Sequence, residues 1–143
     1  MKKIIKIQSI SDIITNSSSE VFIMEMSLAQ GIENDYNTEC IMVDEITYEK
    51  LLEDNWNYEL YSEFLDRLGI INMNDCNYDD SDWHAYVENR KKFQEIVKAN
   101  EEKIRKALTD NQYAWVDIED HFTDWEDASD EAHDYCITSE SRH

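Results

Sequence analysis

Apolar residues follow two periods along the chain, and these mark out its elements. Alternation runs loosely through residues 4–10 and clearly through 21–26, predicting strands near 3–10 and 20–26. In the second strand Val21 and Ile23 fall on one face, and Phe22, Met24 and Met26 on the other. The Asn- and Ser-rich residues 11–20 between them read as a turn. Ser17 and Glu20 have the spacing of a capping box, which allows a short helical turn. The hydroxyls there satisfy their own backbone; the competing reading is a polar ligand loop. Residues 30–39 are polar and read as a loop, and Cys40-Ile41-Met42-Val43 as a short buried strand over 40–44.

Thr47 caps a helix over 47–68 that Gly69 ends. Tyr48, Leu51 and Leu52 lie on nearly the opposite face from Tyr61, Phe64, Leu65 and Leu68, so a break is expected at 54–57. Ser81 caps a long helix over 82–109, with Trp83, Tyr86, Val87, Phe93, Ile96, Val97, Ile104 and Leu108 in its buried stripe. Alternation returns at 113–120: Ala114, Val116 and Ile118 on one face; Tyr113, Trp115, Asp117 and Glu119 on the other. Over 124–136 the spacing is helical again, with Trp125, Ala128, Ala132, Tyr135 and Cys136 in an arc of about 100°. These elements predict one α+β domain over 1–143, a small and mostly antiparallel sheet packed by about three helices.

With 143 residues and 41% hydrophobic content, the chain can bury a core of its own. Two Gly and no Pro leave the turns to Asn, Asp and Ser. No apolar run approaches the roughly 18 residues needed to span a bilayer. The basic start leads into no apolar signal segment, and the expected location is the cytoplasm. Cys40, Cys76 and Cys136, odd in number and far apart, fit reduced thiols.

Charge changes this picture. Asp and Glu number 33 against 13 Lys and Arg, a net charge of −20. Such a chain is repelled by nucleic acid and anionic membranes and drawn to basic surfaces. Residues 107–141 hold no Lys or Arg. On the helix over 124–136, Asp124, Glu126, Asp127, Asp130, Glu131 and Asp134 occupy the side opposite the apolar arc. The cations gather instead at Arg90, Lys91, Lys92, Lys98, Lys103, Arg105 and Lys106. They either offset the acidic elements within the molecule, helped by i,i+4 pairs, or form a small patch for an anion or RNA.

Catalytic signatures are missing. Two Gly cannot build a Gly-rich phosphate loop, and there is no Gly-x-Ser-x-Gly elbow. Asp75, Asn77 and Asp79 imitate the start of a calcium loop, but Asp80 stands where Gly is needed and Tyr86 where Glu is needed. Asp117, Glu119 and His121 share a strand face and could offer a metal two carboxylates and an imidazole, without the spacing of a ligand motif. The expectation is a binding protein and not an enzyme, with no cofactor and no metal.

Ile10-Ser11-Asp12-Ile13-Ile14-Thr15-Asn16-Ser17-Ser18-Ser19-Glu20-Val21-Phe22 resembles the opening of a group of small bacteriophage proteins. The resemblance implies a phage accessory protein. Together with the acidic end it suggests an inhibitor of a host nucleic-acid-binding defence enzyme, such as a CRISPR effector or restriction nuclease. It would act in the host cytoplasm, by acidic nucleic-acid mimicry or steric block of a basic surface, without binding nucleic acid or membrane itself. The expected contact residues are Trp115, Asp117 and Glu119 on an outward strand face, with Asp124, Asp127, Glu131 and Asp134 on the helix. The alternatives are a protein that sequesters a small anionic signal nucleotide between the basic helix and the Ser-rich turn, and an acidic virion component.

Overall fold

A strand buried on both faces organises the molecule. β1 (Ser19–Glu25) carries Val21, Phe22, Ile23 and Met24, none of which reaches solvent. It lies between β3 (Tyr113–Glu119) and β4 (Thr138–Arg142), and β2 (Ile41–Glu45) flanks β3. The order is β2-β3-β1-β4, and every pairing is antiparallel. The computed structural model describes residues 18–53, 57–78 and 85–142; the strand expected at 3–10 and most of the Ser-rich turn lie outside them.

Among the described residues six α-helices pack on this sheet: α1 (Met26–Tyr36), α2 (Tyr48–Glu53), α3 (Tyr58–Arg67), α4 (Ala85–Ala99), α5 (Glu101–Asp110) and α6 (Trp125–Tyr135). The fold is the expected α+β domain, with more helices than the three expected. Thr47 caps α2, its Oγ1 accepting from the Lys50 amide at 3.2 Å. Gly69 ends α3 at φ 77°, with Gly69 N–H bonded to Asp66 O and Ile70 N–H to Leu65 O, the double closure of a Schellman motif. α2 ends at Glu53 and α3 begins at Tyr58, either side of the expected break.

Three expectations are corrected. The single helix over 82–109 is two, because the Asn100 side chain donates to Ile96 O at 2.8 Å and its amide turns back to Val97 O. Most of the loop expected over 30–39 is helix: α1 runs to Tyr36, buries Ala29 and Ile32 and closes on Asn37, which takes the left-handed conformation (φ 43°) usually given to Gly. β4 was not expected at all, because Thr-Ser-Glu-Ser-Arg has no apolar pattern; its ladder to β1 holds it.

The sheet separates two cores. On one side Val21, Ile23 and Tyr113 meet an aromatic core from α2 to α5, including Tyr48, Tyr61, Phe64 and Phe93. Tyr61 stacks on Phe93, and Phe64 meets Tyr113 edge-on at 5.1 Å. On the other side Phe22, Met24, Ala114, Val116 and Ile118 meet Ala29 and Ile32 of α1 and Ala128 and Ala132 of α6.

Candidate functional site

α6 lies close to the sheet because its contact residues are small. Ala128 and Ala132 are fully buried, and Ser129 nearly so. A single carboxylate of β1 ties the helix down: Glu20 accepts from Ser129 Oγ at 3.0 Å and lies 2.7 Å from His133 Nε2. The His133 ring also meets Phe22 edge-on at 5.0 Å. Beside α6 runs α1, whose Tyr36 hydroxyl donates to Glu131 at 3.4 Å. Burial first, then the negative field of Glu131, Asp127 and Asp124, holds the Tyr36 hydroxyl above its ordinary pKa. Of the three, Glu131 lies in the α1–α6 seam through its bond to Tyr36.

The rest of α6 faces outward. Asp124, Glu126, Asp127, Asp130 and Asp134 are exposed, whereas Glu131 is half-buried. Two aromatics expected on the buried arc, Trp125 and Tyr135, stand at opposite ends of the helix with 37% and 49% of their surface in solvent. The narrow arc of Ala128, Ser129 and Ala132 suffices to seat the helix and leaves both rings outside it. Their helical spacing with the alanines concealed this; the signal was that alanines alone could make so close a contact. No Lys or Arg occurs in residues 18–49 or 107–141, so among the described residues α1, α6 and their flanks form a layer without a lysine or arginine.

The strand members of the expected contact set lie elsewhere. Trp115, Asp117 and Glu119 project from the opposite sheet face, towards the α2–α5 side, and all three are half-buried. Trp115 packs against the aromatic core, and its indole N–H is shielded with no hydrogen-bond partner. Burial pushes the Asp117 carboxyl up, against the hydrogen bond from Ser19 and the attraction of Arg142, and one carboxylate oxygen is buried without a partner. Glu119 is raised by burial too, with His121 opposing and Asp117 and Asp120 adding to the shift. The seven expected residues therefore form no single surface. Trp115, Asp117 and Glu119 are separated by the sheet from Asp124, Asp127, Glu131 and Asp134.

The other expected chemistry resolves in part. Ser18, at the edge of the Ser-rich turn, donates its hydroxyl to Asp120, a structural tie across the sheet. His121 Nδ1 lies 3.4 Å from Asp120, and among the described residues no group of three His, Cys, Asp or Glu side chains is placed to hold a metal. Three of the clustered cations are engaged internally. Arg105 binds Glu101 and Glu49 at 2.7 and 2.9 Å and sits over the Tyr48 ring, Lys106 binds Asp110, and Lys92 donates to Asn77 O. The break at Asn100 also keeps Lys91, Lys98 and Arg105 from forming one straight stripe.

A cavity of about 330 Å³ opens on the α2–α5 side, lined by Asp44, Glu45, Lys50, Glu53, Tyr61 and Trp115. Among the described residues no helix is long and apolar enough to cross a membrane. No family model matches the chain, and no curated protein or solved structure matches it significantly.

Proposed function

We propose that this is a binding protein, not an enzyme, whose α1–α6 layer docks into a basic groove made for nucleic acid and blocks it. One observation carries the reading: a helix with exposed carboxylates along it, an exposed aromatic at each end, and no Lys or Arg among the described residues of its layer. Residues 124–134 place six carboxylates along about 15 Å of helix rise, or one per roughly 2.5 Å. Duplex DNA carries one charge per about 1.7 Å. Solubility alone would be served by scattered carboxylates. Here Glu126 and Asp130, Asp130 and Asp134, and Asp127 and Glu131 stand four apart, where like charges repel and weaken a helix.

The contact set is accordingly Asp124, Asp127, Glu131 and Asp134, joined by Trp125 and Tyr135 in place of Trp115, Asp117 and Glu119. Exposed aromatics amid charge are the residues that most often carry binding energy. A host defence enzyme that grips DNA or RNA is the partner suggested by the bacteriophage-like opening. Reversal of Asp127 and Asp134 to Lys is the test, since both face solvent. Mixed with a nucleic-acid-binding defence nuclease, the protein should compete with DNA, lose affinity steeply as salt rises, and associate more slowly after the double reversal. A tight complex indifferent to salt, to the reversals and to added DNA would end the proposal.

A further inference from the structure

We infer that the outer edge of β2 is a docking strip for an extended, basic segment of a partner polypeptide, which pairs with it as an added strand. The strip belongs to a different element from α6 and does not depend on the reading given for that helix.

The backbone supplies the donors and acceptors. Cys40 O accepts from the Glu119 amide and the Ile46 amide donates to Tyr113 O, both at 2.9 Å, so the even-numbered residues of β2 turn their main-chain groups towards β3. Strand geometry turns those of Ile41, Val43 and Glu45 the other way. β2 is the last strand on that side of the sheet, and among the described residues no hydrogen bond takes up these outward groups.

Side chains select the occupant. Met42 and Asp44 lie on the face shared with Asp117 and Trp115, and Glu45 lies on the other, opposite Ala114. All three are exposed, Met42 by 58%. Lys50 is bonded to Asp44, whereas Glu45 enters no ion pair among the described residues. An added strand therefore meets a carboxylate on each face at one end and an apolar side chain next to them. Opposite charges facing across a ladder attract and like charges repel. A strand bearing lysine or arginine, with an apolar residue for Met42, complements this pattern. A second copy of β2 does not, since it brings the same carboxylates on a chain of net charge −20. In strand addition the main chain gives affinity and the alternating side chains give specificity. The other outer strand, β4, offers no such bias, because its Arg142 pairs with its own Glu140.

The test is an NMR titration of the full chain with a capped eight-residue peptide that alternates lysine and valine. The Ile41, Val43 and Glu45 amides should shift saturably and exchange with solvent more slowly. The same peptide with alternate amides N-methylated, or with glutamate for lysine, should do neither. Asp44→Asn with Glu45→Gln should weaken binding by about tenfold. The charge-matched pair Asp127→Asn with Asp134→Asn should leave it unchanged, which separates this edge from the α6 face and from net charge. No protection of the three amides, or equal binding of the N-methylated peptide, overturns strand pairing. Equal binding of the glutamate peptide, or equal loss from both variant pairs, overturns the basic partner. Protection without peptide that rises with protein concentration would make a second copy the occupant. Peptide binding tightened about tenfold by Ile5→Pro with Ile7→Pro would make it the chain's own start. Either result overturns the partner polypeptide.

Discussion

The two sides of the sheet are built on different plans. Among the described residues one has four helices, a core of large interlocked rings, and several cations tied into ion pairs or main-chain contacts, as with Arg67 bridging Glu63 and the Ile137 carbonyl. Among the described residues the other has two helices, seated on alanines, and no lysine or arginine. The difference shows that the net charge of −20 is not spread evenly. The aromatic side neutralises much of its own charge and carries stability, while the thin side displays its charge on a helix that needs little contact area to stay in place.

The largest test of that contrast is Phe64→Ala. Removing a fully buried ring from the aromatic side should cost about 3–5 kcal/mol, measured by denaturant titration. Ala132→Leu probes the other side. Overpacking beneath α6 should cost about 1–3 kcal/mol, and it should also disturb the His133–Glu20 contact, visible as shifts of the His133 ring resonances. If Ala132→Leu were neutral, α6 would not be seated as described.

Smaller effects sharpen the contrast. Asp117 is the half-buried acid on the aromatic side, and its raised carboxyl means that the folded state holds its proton to higher pH than the unfolded chain does. Ionisation at neutral pH therefore opposes folding. Asp117→Asn should raise the melting temperature at pH 7, and the gain should shrink as pH falls through the raised value and vanish once pH is well below the ordinary aspartate value of about 4, where both states are protonated. A melting temperature lowered equally at all pH values would mean that the carboxylate is a net structural tie. Smallest of all is Asp130→Lys. It removes two repelling i,i+4 pairs and should stabilise by about 0.2–0.5 kcal/mol per pair; a clear loss of stability would show that the acidic row is held by attractions not seen here.

The α+β class, β1, β2, β3, the Thr47 cap, the Gly69 stop and the break after α2 were all readable from spacing and turn chemistry. Those signals are local, and local physics decided them. α1 was missed although Leu28, Ala29, Ile32 and Tyr36 have helical spacing, because its Gln, Asn and Asp residues resemble a loop. β4 was unreadable because an edge strand can be held by its ladder alone. The candidate site was half legible. Sequence found the acidic face of α6, but it could not say that the Trp115 face would be covered, since that cover is a tertiary contact with a core that includes helices as distant as α2 and α3.

β1 has one more consequence, for the order in which the protein can be made. It is the first described element, yet it pairs on one side with residues 113–119 and on the other with 138–142. On the ribosome it must wait, with its apolar run unpaired, until almost the whole described chain has emerged. Loop closure on that scale is slow, and unpaired strand edges invite association. Nascent chains arrested before residue 113 should be cut readily by protease, whereas chains carried past 142 and released should resist. An ordered α6 surface would then be acquired only once residue 142 has emerged, and a copy stopped short of it would display the carboxylates of α6 on no ordered surface.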